Sequence, residues 1–302
     1  MRIHPLFHLV LSIILLACTE PNDDQPEGNG QHEGQDSDIG RVFIYQGDYA
    51  QLGTLAENAA LVAQHDYAVF THAFLLSDSS WANGHCLDAP YESMAALMVQ
   101  VRTLNPDIFL FGYVAATADH PNGCWPVPSV QLEACEDGVC TDFITWVNRW
   151  LELETAHEGL VLDGIFIDLA HEALISPAVR DNLFSYVHLA GKQICANVLS
   201  DTSGISFALA SEYFLESDLL FIEGYYQIAG NPNVFTAGMN ELLQATQPRW
   251  VALISEPSGI EIDCDSPVHA EGVALIDSMG GLAYTYQASD LGTVRPTWSV
   301  CP

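Results

Sequence analysis

Eight short apolar runs, rich in β-branched residues, alternate with amphipathic stretches between residues 41 and 302, and this alternation constrains the fold more than any other feature. Strands that alternate with helical patterns indicate βαβ units and a parallel sheet. Eight such strands closing on themselves form a (β/α)8 TIM barrel, for which a block of this length is typical. The sequence therefore predicts an α/β fold of the TIM-barrel class. The predicted strands are 42–46, 67–73, 108–115, 161–168, 193–199, 219–225, 250–256 and 281–287.

Helical periodicity between these runs predicts the connecting elements of the barrel. No internal sequence repeat accompanies the alternation. The predicted helices are 54–64, 91–104, 141–155, 177–190, 234–246 and 269–279, with a shorter one at 206–214 before the sixth strand.

The first residues of the chain predict export. Residues 1–17 hold Arg2 and an apolar run at 6–16, which is too short to cross a membrane but is typical of a secretory signal peptide. A small residue directly before Cys18 makes this stretch similar to the bacterial lipobox, in which the cysteine becomes the lipidated first residue. An ordinary signal peptide with an incidental Cys18 is the alternative.

Residues 18–40 are predicted to form a disordered acidic tether between the lipid and the barrel. They consist mainly of Glu, Asp, Gly, Gln, Asn and Pro, and they cannot bury enough apolar surface to offset the entropy of ordering. We therefore expect domains at 1–17, 18–40 and 41–302. The expected location is the cell envelope, with a lipid anchor in the membrane, at the outer membrane or cell surface if the cell is Gram-negative.

The charge of the chain excludes some partners. The sequence has 39 acidic and 8 basic residues, Lys192 is its only lysine, and the formal net charge is -31. Such a surface repels phosphate backbones, so we expect no nucleic-acid partner. Two explanations remain open: adaptation to saline surroundings, or attraction of a cationic substrate such as a partly deacetylated amino-sugar polymer.

Seven cysteines follow Cys18, and an exported chain can oxidise them. Cys195 lies inside an apolar run and is expected to stay reduced. No spacing of Cys and His resembles a zinc site, and we expect neither a metal nor a cofactor. The expected disulfides are Cys86–Cys124, Cys135–Cys140 and Cys264–Cys301.

Polar side chains gather at the carboxyl ends of the predicted strands, which converge on one face of a TIM barrel. Asp168 ends the fourth strand and Glu223 interrupts an apolar run in the sixth, where burying an acid is costly without a purpose. A structural ion pair or cap is the alternative role, although basic partners are scarce. Asp163 lies an odd number of residues before Asp168, so in a regular strand its side chain points to the opposite side. It is expected to bind backbone at the strand entrance. The predicted substrate-binding residues are Asp48, His72, Tyr113, Asn197, Tyr225, Glu256, Tyr286 and Gln287.

Carboxylates, amides and aromatic rings together suit a carbohydrate, which offers hydroxyls to hydrogen-bond and C–H faces to stack on. Glycoside hydrolysis needs two carboxyl groups across the scissile bond, one of which protonates the leaving oxygen. Asp168 and Glu223 are the best pair for this chemistry.

A family resemblance supports the same pair. Residues 111–114, residues 163–168, Asn197 and Glu223 with Tyr225 resemble, in order and spacing, the spherulin-4-like glycoside hydrolases and the related endo-α-1,4-polygalactosaminidases. The resemblance covers most of residues 41–290. It implies a TIM-barrel enzyme that cuts galactosamine-containing polysaccharides, with Asp168 and Glu223 matching its two acids.

The chain departs from this family at one position. The family usually has Glu directly after the acid of the fourth strand, and Leu169 stands there in this chain. Glu172 is a candidate to reach back from the loop as a third catalytic residue, or the role is lost. The sequence therefore predicts a lipid-anchored glycoside hydrolase acting on an amino-sugar-containing polysaccharide. The alternative is a non-catalytic carbohydrate-binding surface barrel; a structural protein with no sugar site would leave the polar cluster unexplained.

Overall fold

The computed structural model describes residues 40–45, 54–70, 91–115, 141–168, 170, 175–198, 202–227, 236–255 and 267–287. The chain divides into two units, Met1–Asp36 and Ser37–Pro302, and every described residue belongs to the second unit. The predicted signal peptide and, except for Gly40, the predicted tether lie outside the described residues, so the domain boundaries at 17 and 40 stay predictions.

Eight parallel strands close into a barrel in which each strand pairs with the next along the chain and β8 pairs with β1. This closure confirms the TIM-barrel prediction. The strands are β1 Gly40–Tyr45, β2 Tyr67–Phe70, β3 Phe109–Ala115, β4 Gly164–Asp168, β5 Gln193–Val198, β6 Leu219–Gln227, β7 Arg249–Ser255 and β8 Ala283–Gln287.

Helices lie between the strands along the chain, and two of the described helices begin at side-chain caps, Thr54 and Ser176. The Thr54 hydroxyl accepts the backbone N–H of Glu57, whose carboxylate accepts the Thr54 N–H in return. This capping box fixes where the first helix begins. The described helices are α1 Leu55–Val62, α2 Tyr91–Leu104, α3 Thr141–Ala156, α4 Pro177–Leu189, α5 Thr202–Leu209, α6 Thr236–Thr246 and α7 Pro267–Ser278.

The predicted helix at 206–214 was wrong in its position. The structure places α5 at Thr202–Leu209, and residues 210–218 form turns and irregular backbone. The buried Arg180 guanidinium donates to the Phe207 carbonyl, which a continuing helix would use for the N–H of Ser211. The Ser211 N–H turns back to Ala208 instead, at 3.2 Å. A side chain from α4 therefore ends α5.

The predicted strand at 161–168 began three residues too early, since β4 starts at Gly164. Side chains satisfy the backbone of the preceding residues: Arg102 donates to the Val161 carbonyl at 3.1 Å, and Lys192 donates to the Leu162 carbonyl at 2.8 Å. β2 is described to Phe70, three residues before its predicted end, and the other described ends lie within two residues of prediction. Among the described residues, none of the helices combines the length and apolar character needed to span a membrane.

Successive side chains along each strand point to opposite faces of the sheet, so the barrel has an inner and an outer hydrophobic core. Phe166 belongs to a cluster inside the barrel, whereas Ile165 and Ile167 belong to the larger cluster between sheet and helices. Both sides of the strands are thus covered, which explains why they read as continuous apolar runs. The inner cluster consists of Val42, Val69, Phe111, Phe166, Cys195, Leu219, Phe221, Val251 and Ala283.

Candidate active site

Asp168 is the last residue of β4, at the carboxyl end of the barrel. The four strand residues before it are buried, and Asp168 itself is partly exposed. It lies two positions after Phe166, on the side of the strand that faces the barrel interior. The sequence prediction for the location of this acid is therefore confirmed, and it is the face on which TIM-barrel enzymes carry their active sites.

Two predicted site residues bind Asp168 from the flanking strands. The Tyr113 hydroxyl on β3 donates to Oδ2 of Asp168, and the Asn197 amide on β5 donates to Oδ1. Each carboxyl oxygen of Asp168 thus accepts a hydrogen bond from a protein donor. The structure therefore brings together three residues that the sequence placed in the site. Tyr113 and Asn197 were predicted to bind substrate, and in the structure both bind the carboxyl group of Asp168.

Both donors are held in place by their own strands and neighbours. The Tyr113 ring stacks on Phe166, with ring centroids 5.8 Å apart and an angle of 16° between the planes. Asn197 is 6% exposed, and its carbonyl accepts the N–H of Ala170 at 3.0 Å, which ties the segment after Asp168 to β5. The position of Asp168 is thus fixed on both sides.

Glu223 and Tyr225 lie in β6, at an irregularity in the sheet. Ile222 pairs with Ala252 of β7, and the next pair is Tyr226 with Ile254. Four steps along β6 therefore match two steps along β7, which leaves two extra residues on β6. Bulges of this kind are frequent at barrel rims and beside active sites, where they re-aim the chain.

The other predicted site residues divide into two groups. Tyr286 and Gln287 end β8, where they pair with Ile254 and Ser255. The rest lie outside the described residues and stay predictions: Asp48, His72, Glu172, Glu256 and Cys18.

Asp163 has the structural role that its parity predicted. Its carboxylate accepts the N–H of the buried Leu110 at 2.7 Å and forms an ion pair with Arg102. It lies just before β4, at the end of the barrel opposite Asp168. The two aspartates of residues 163–168 therefore serve different ends of the same strand.

Basic side chains concentrate at this opposite end, where they bind carbonyls in segments that lead into strands. Arg41 donates to Gln64 at 2.7 Å, and Arg249 donates to Ser217 at 2.6 Å. Arg102 and Lys192 bind the residues before β4 in the same way. Lys192 also pairs with Glu154 at 2.7 Å. Among the described side chains, these four cations donate hydrogen bonds to backbone carbonyls at the amino ends of the strands.

The described histidines and cysteine do not form a metal site. His188 contacts the fully buried Asp218 at 3.0 Å, and Asp218 also accepts the N–H groups of Ile194 and Leu215. This cluster joins α4, β5 and the segment before β6. Within the described ranges, no group of three or more His, Cys, Asp or Glu side chains is placed to hold a metal ion.

Cys195 is reduced and buried in the inner core, as predicted. Burial raises the pKa of its thiol, with the nearby Asp218 carboxylate acting in the same direction. The thiol is therefore a packing group. The other cysteines lie outside the described residues, so the three disulfides stay predictions.

Sequence analysis missed Trp150, a fully buried residue of α3. Its indole N–H donates to the Tyr113 carbonyl at 2.9 Å, and its ring lies against Gly112. The sequence did contain one sign of this contact: Gly112 lies inside a predicted strand, and a glycine there often marks the close approach of another group. The partner of that glycine was not readable from the sequence.

Comparison with solved structures supports the fold. The endo-1,4-β-D-mannanase from Thermotoga petrophila is similar with a TM-score of 0.58 at 10% identity, over 82% of this chain and 87% of the mannanase. An intracellular xylanase from Thermoanaerobacterium saccharolyticum gives 0.55 at 9% identity, over 87% of this chain and 91% of the xylanase. No protein-family model matches the sequence, and a search of curated proteins finds no match. At such identities the likeness establishes the TIM-barrel fold alone.

Proposed function

We propose that this protein is a glycoside hydrolase in which Asp168 and Glu223 are the paired carboxyl groups. The observation that carries the proposal is the pair of donors on Asp168, one from each neighbouring strand. A carboxylate fixed in this way at the carboxyl end of a TIM barrel is suited to act as a nucleophile or as the base for water. Glu223 then supplies the proton to the leaving oxygen.

The strand arrangement is compatible with this pair of acids. β5 lies between β4 and β6, so the backbones of β4 and β6 are about 10 Å apart at the usual strand spacing. Asp168 follows Ile167, which pairs with Ala196, and is level with the pair formed by Asn197 and Phe221. Glu223 comes two residues later on β6, about 6.6 Å further along the strand direction. Carboxyl groups on backbones at this spacing can reach the separation of about 5 to 10 Å that glycosidases use.

We infer that the substrate is a polysaccharide carrying amino sugars, of the galactosamine type. The net charge of -31 attracts cations to the surface and concentrates them there. Four of the described basic side chains bind carbonyls at the amino ends of the strands, at the opposite end of the barrel from Asp168. The fifth, Arg180, is buried and bound to Asp181 and to the Phe207 carbonyl. A partly deacetylated polymer bears protonated amino groups and suits this distribution.

We also propose that the protein is exported and attached to the cell envelope through Cys18. The support is the signal-like stretch at 1–17 and the small residue before the cysteine. Replacing Cys18 with serine should move the protein from the membrane fraction to the soluble fraction. If the serine variant stays in the membrane fraction, the lipid attachment is wrong.

A substrate screen tests the enzyme proposal. The full chain, solubilised in detergent, is incubated with galactosamine and glucosamine polymers, each in acetylated and partly deacetylated form, and new reducing ends are measured. We expect cleavage of the partly deacetylated galactosamine polymer, with kcat/KM falling as salt screens the charges. Retention of the polymer on the protein without cleavage would instead establish the non-catalytic binding barrel.

A further inference from the structure

We propose that Tyr113 and Trp150 are positioning residues: the Trp150 indole fixes the end of β3, and the Tyr113 hydroxyl on that strand fixes the orientation of Asp168. The effect on turnover rests on the proposed function. The contacts themselves do not, because they are made within the protein.

The side chain of Tyr113 is held by the same strand that carries Asp168. Its hydroxyl donates to Oδ2 of Asp168, and its ring stacks on Phe166, two residues earlier on β4. Phe166 in turn meets the edge of Phe221, with ring centroids 5.2 Å apart and planes at 73°. The ring of Tyr113 therefore has a fixed platform, and the hydroxyl reaches Oδ2 from one direction.

The backbone of Tyr113 is held from outside the barrel by Trp150. This tryptophan is fully buried, and its indole N–H donates to the Tyr113 carbonyl at 2.9 Å. Its ring lies so close to Gly112 that a Cβ there would be 2.4 Å from Cδ2 of the indole. Only glycine leaves room for this contact. A path of direct contacts thus runs from α3 through β3 to the carboxylate.

This path predicts a specific kinetic effect. Without the Tyr113 hydroxyl, Asn197 still holds Oδ1, but the carboxyl group of Asp168 gains freedom to turn about its Cβ–Cγ bond. A carboxylate that acts on the reacting carbon loses effectiveness when it turns, whereas substrate binding by the rest of the face is retained. Turnover should therefore fall while KM changes little. If Tyr113 instead contacted the sugar directly, as the sequence predicted, loss of its hydroxyl would raise KM.

Three variants and one control test the inference, each assayed at a temperature where circular dichroism shows it folded. We expect Tyr113→Phe to lower kcat about 10- to 100-fold, the effect of losing one hydrogen bond to a charged group, with KM within about twofold. Trp150→Phe should lower kcat less, and the double variant should be no slower than Tyr113→Phe because both act on one path. Trp250→Phe is the matched control: it makes the same change at a buried tryptophan of β7 and should keep the parental kcat.

A parental kcat in Tyr113→Phe, a change confined to KM, or a double variant whose loss is the product of the two single losses would each overturn the inference. A parent that cleaves nothing would refute the proposed function alone. In that case, crystal structures of the parent and of Trp150→Phe test the positioning path. We expect the Tyr113 hydroxyl to move away from Asp168 in Trp150→Phe. An unchanged contact in that variant would overturn the positioning path.

Discussion

Replacing Asp163 with alanine separates the structural aspartate of residues 163–168 from the functional one. The change leaves the N–H of Leu110, whose side chain is fully buried, without its acceptor and removes the ion pair with Arg102. An unsatisfied buried donor costs about 1 to 3 kcal/mol. The ion pair adds about 0 to 1 kcal/mol, since its side chains are 24% and 19% exposed and Arg102 keeps its bond to Val161. The free energy of unfolding should therefore fall by about 1 to 4 kcal/mol.

The assay for Asp163→Ala combines urea unfolding with the cleavage assay. Turnover per folded molecule should be parental, because the two positions are five residue steps, or about 16 Å, apart along the strand direction. Asp163→Asn is the milder comparison: its amide oxygen can still accept from Leu110, and only the ion pair is lost. Parental stability in Asp163→Ala, or lost turnover while the variant is folded, would refute the separation of the two roles.

Three further predictions follow from packing and burial. Gly112→Ala should destabilise the protein by about 1 to 3 kcal/mol and lower turnover, because its Cβ displaces Trp150; parental urea unfolding would contradict this. Cys195 should react with iodoacetamide only after denaturation, because burial raises the pKa of its thiol and shields it; alkylation of the native protein at the rate of the denatured protein would contradict this. Burial also raises the pKa values of Tyr67 and Tyr284 in the fold. Below about pH 10 both phenols are neutral in the folded and the unfolded protein, and this contribution to stability is fully present. It is lost as the pH rises through the raised pKa values of the folded protein, so the free energy of unfolding should fall above about pH 10. A free energy of unfolding that stays constant above about pH 10 would contradict this.

The barrel was predictable because its strands and helices are local features of the sequence. Continuous apolar runs such as the one before Asp168 mark strands covered on both sides, and helical periodicity marks the segments between them. Eight strand–helix units are the number that a TIM barrel contains, and Asp168 lies at the carboxyl end of the barrel because it ends the fourth apolar run. The parity of Asp163 predicted its backbone contact for the same local reason.

The errors came from long-range contacts of side chains. The helix before the sixth strand ends early because Arg180, from another helix, takes the Phe207 carbonyl. The fourth strand starts late because Arg102 and Lys192 bind the backbone before it. The sequence also placed Tyr113 and Asn197 at the strand ends without showing that both bind Asp168. Each of these contacts joins residues that are far apart along the chain, and their pairing depends on packing angles that periodicity does not contain.

The most direct test of the proposed function is the cleavage rate of Asp168→Asn and Glu223→Gln on the substrate that the parent cuts. Both changes keep the shape of the side chain and remove its charge or its proton. We predict that turnover falls by several orders of magnitude in both variants, while each still retains the polysaccharide on a column. Cleavage at the parental rate by either variant would contradict the assignment of Asp168 and Glu223 as the paired carboxyl groups.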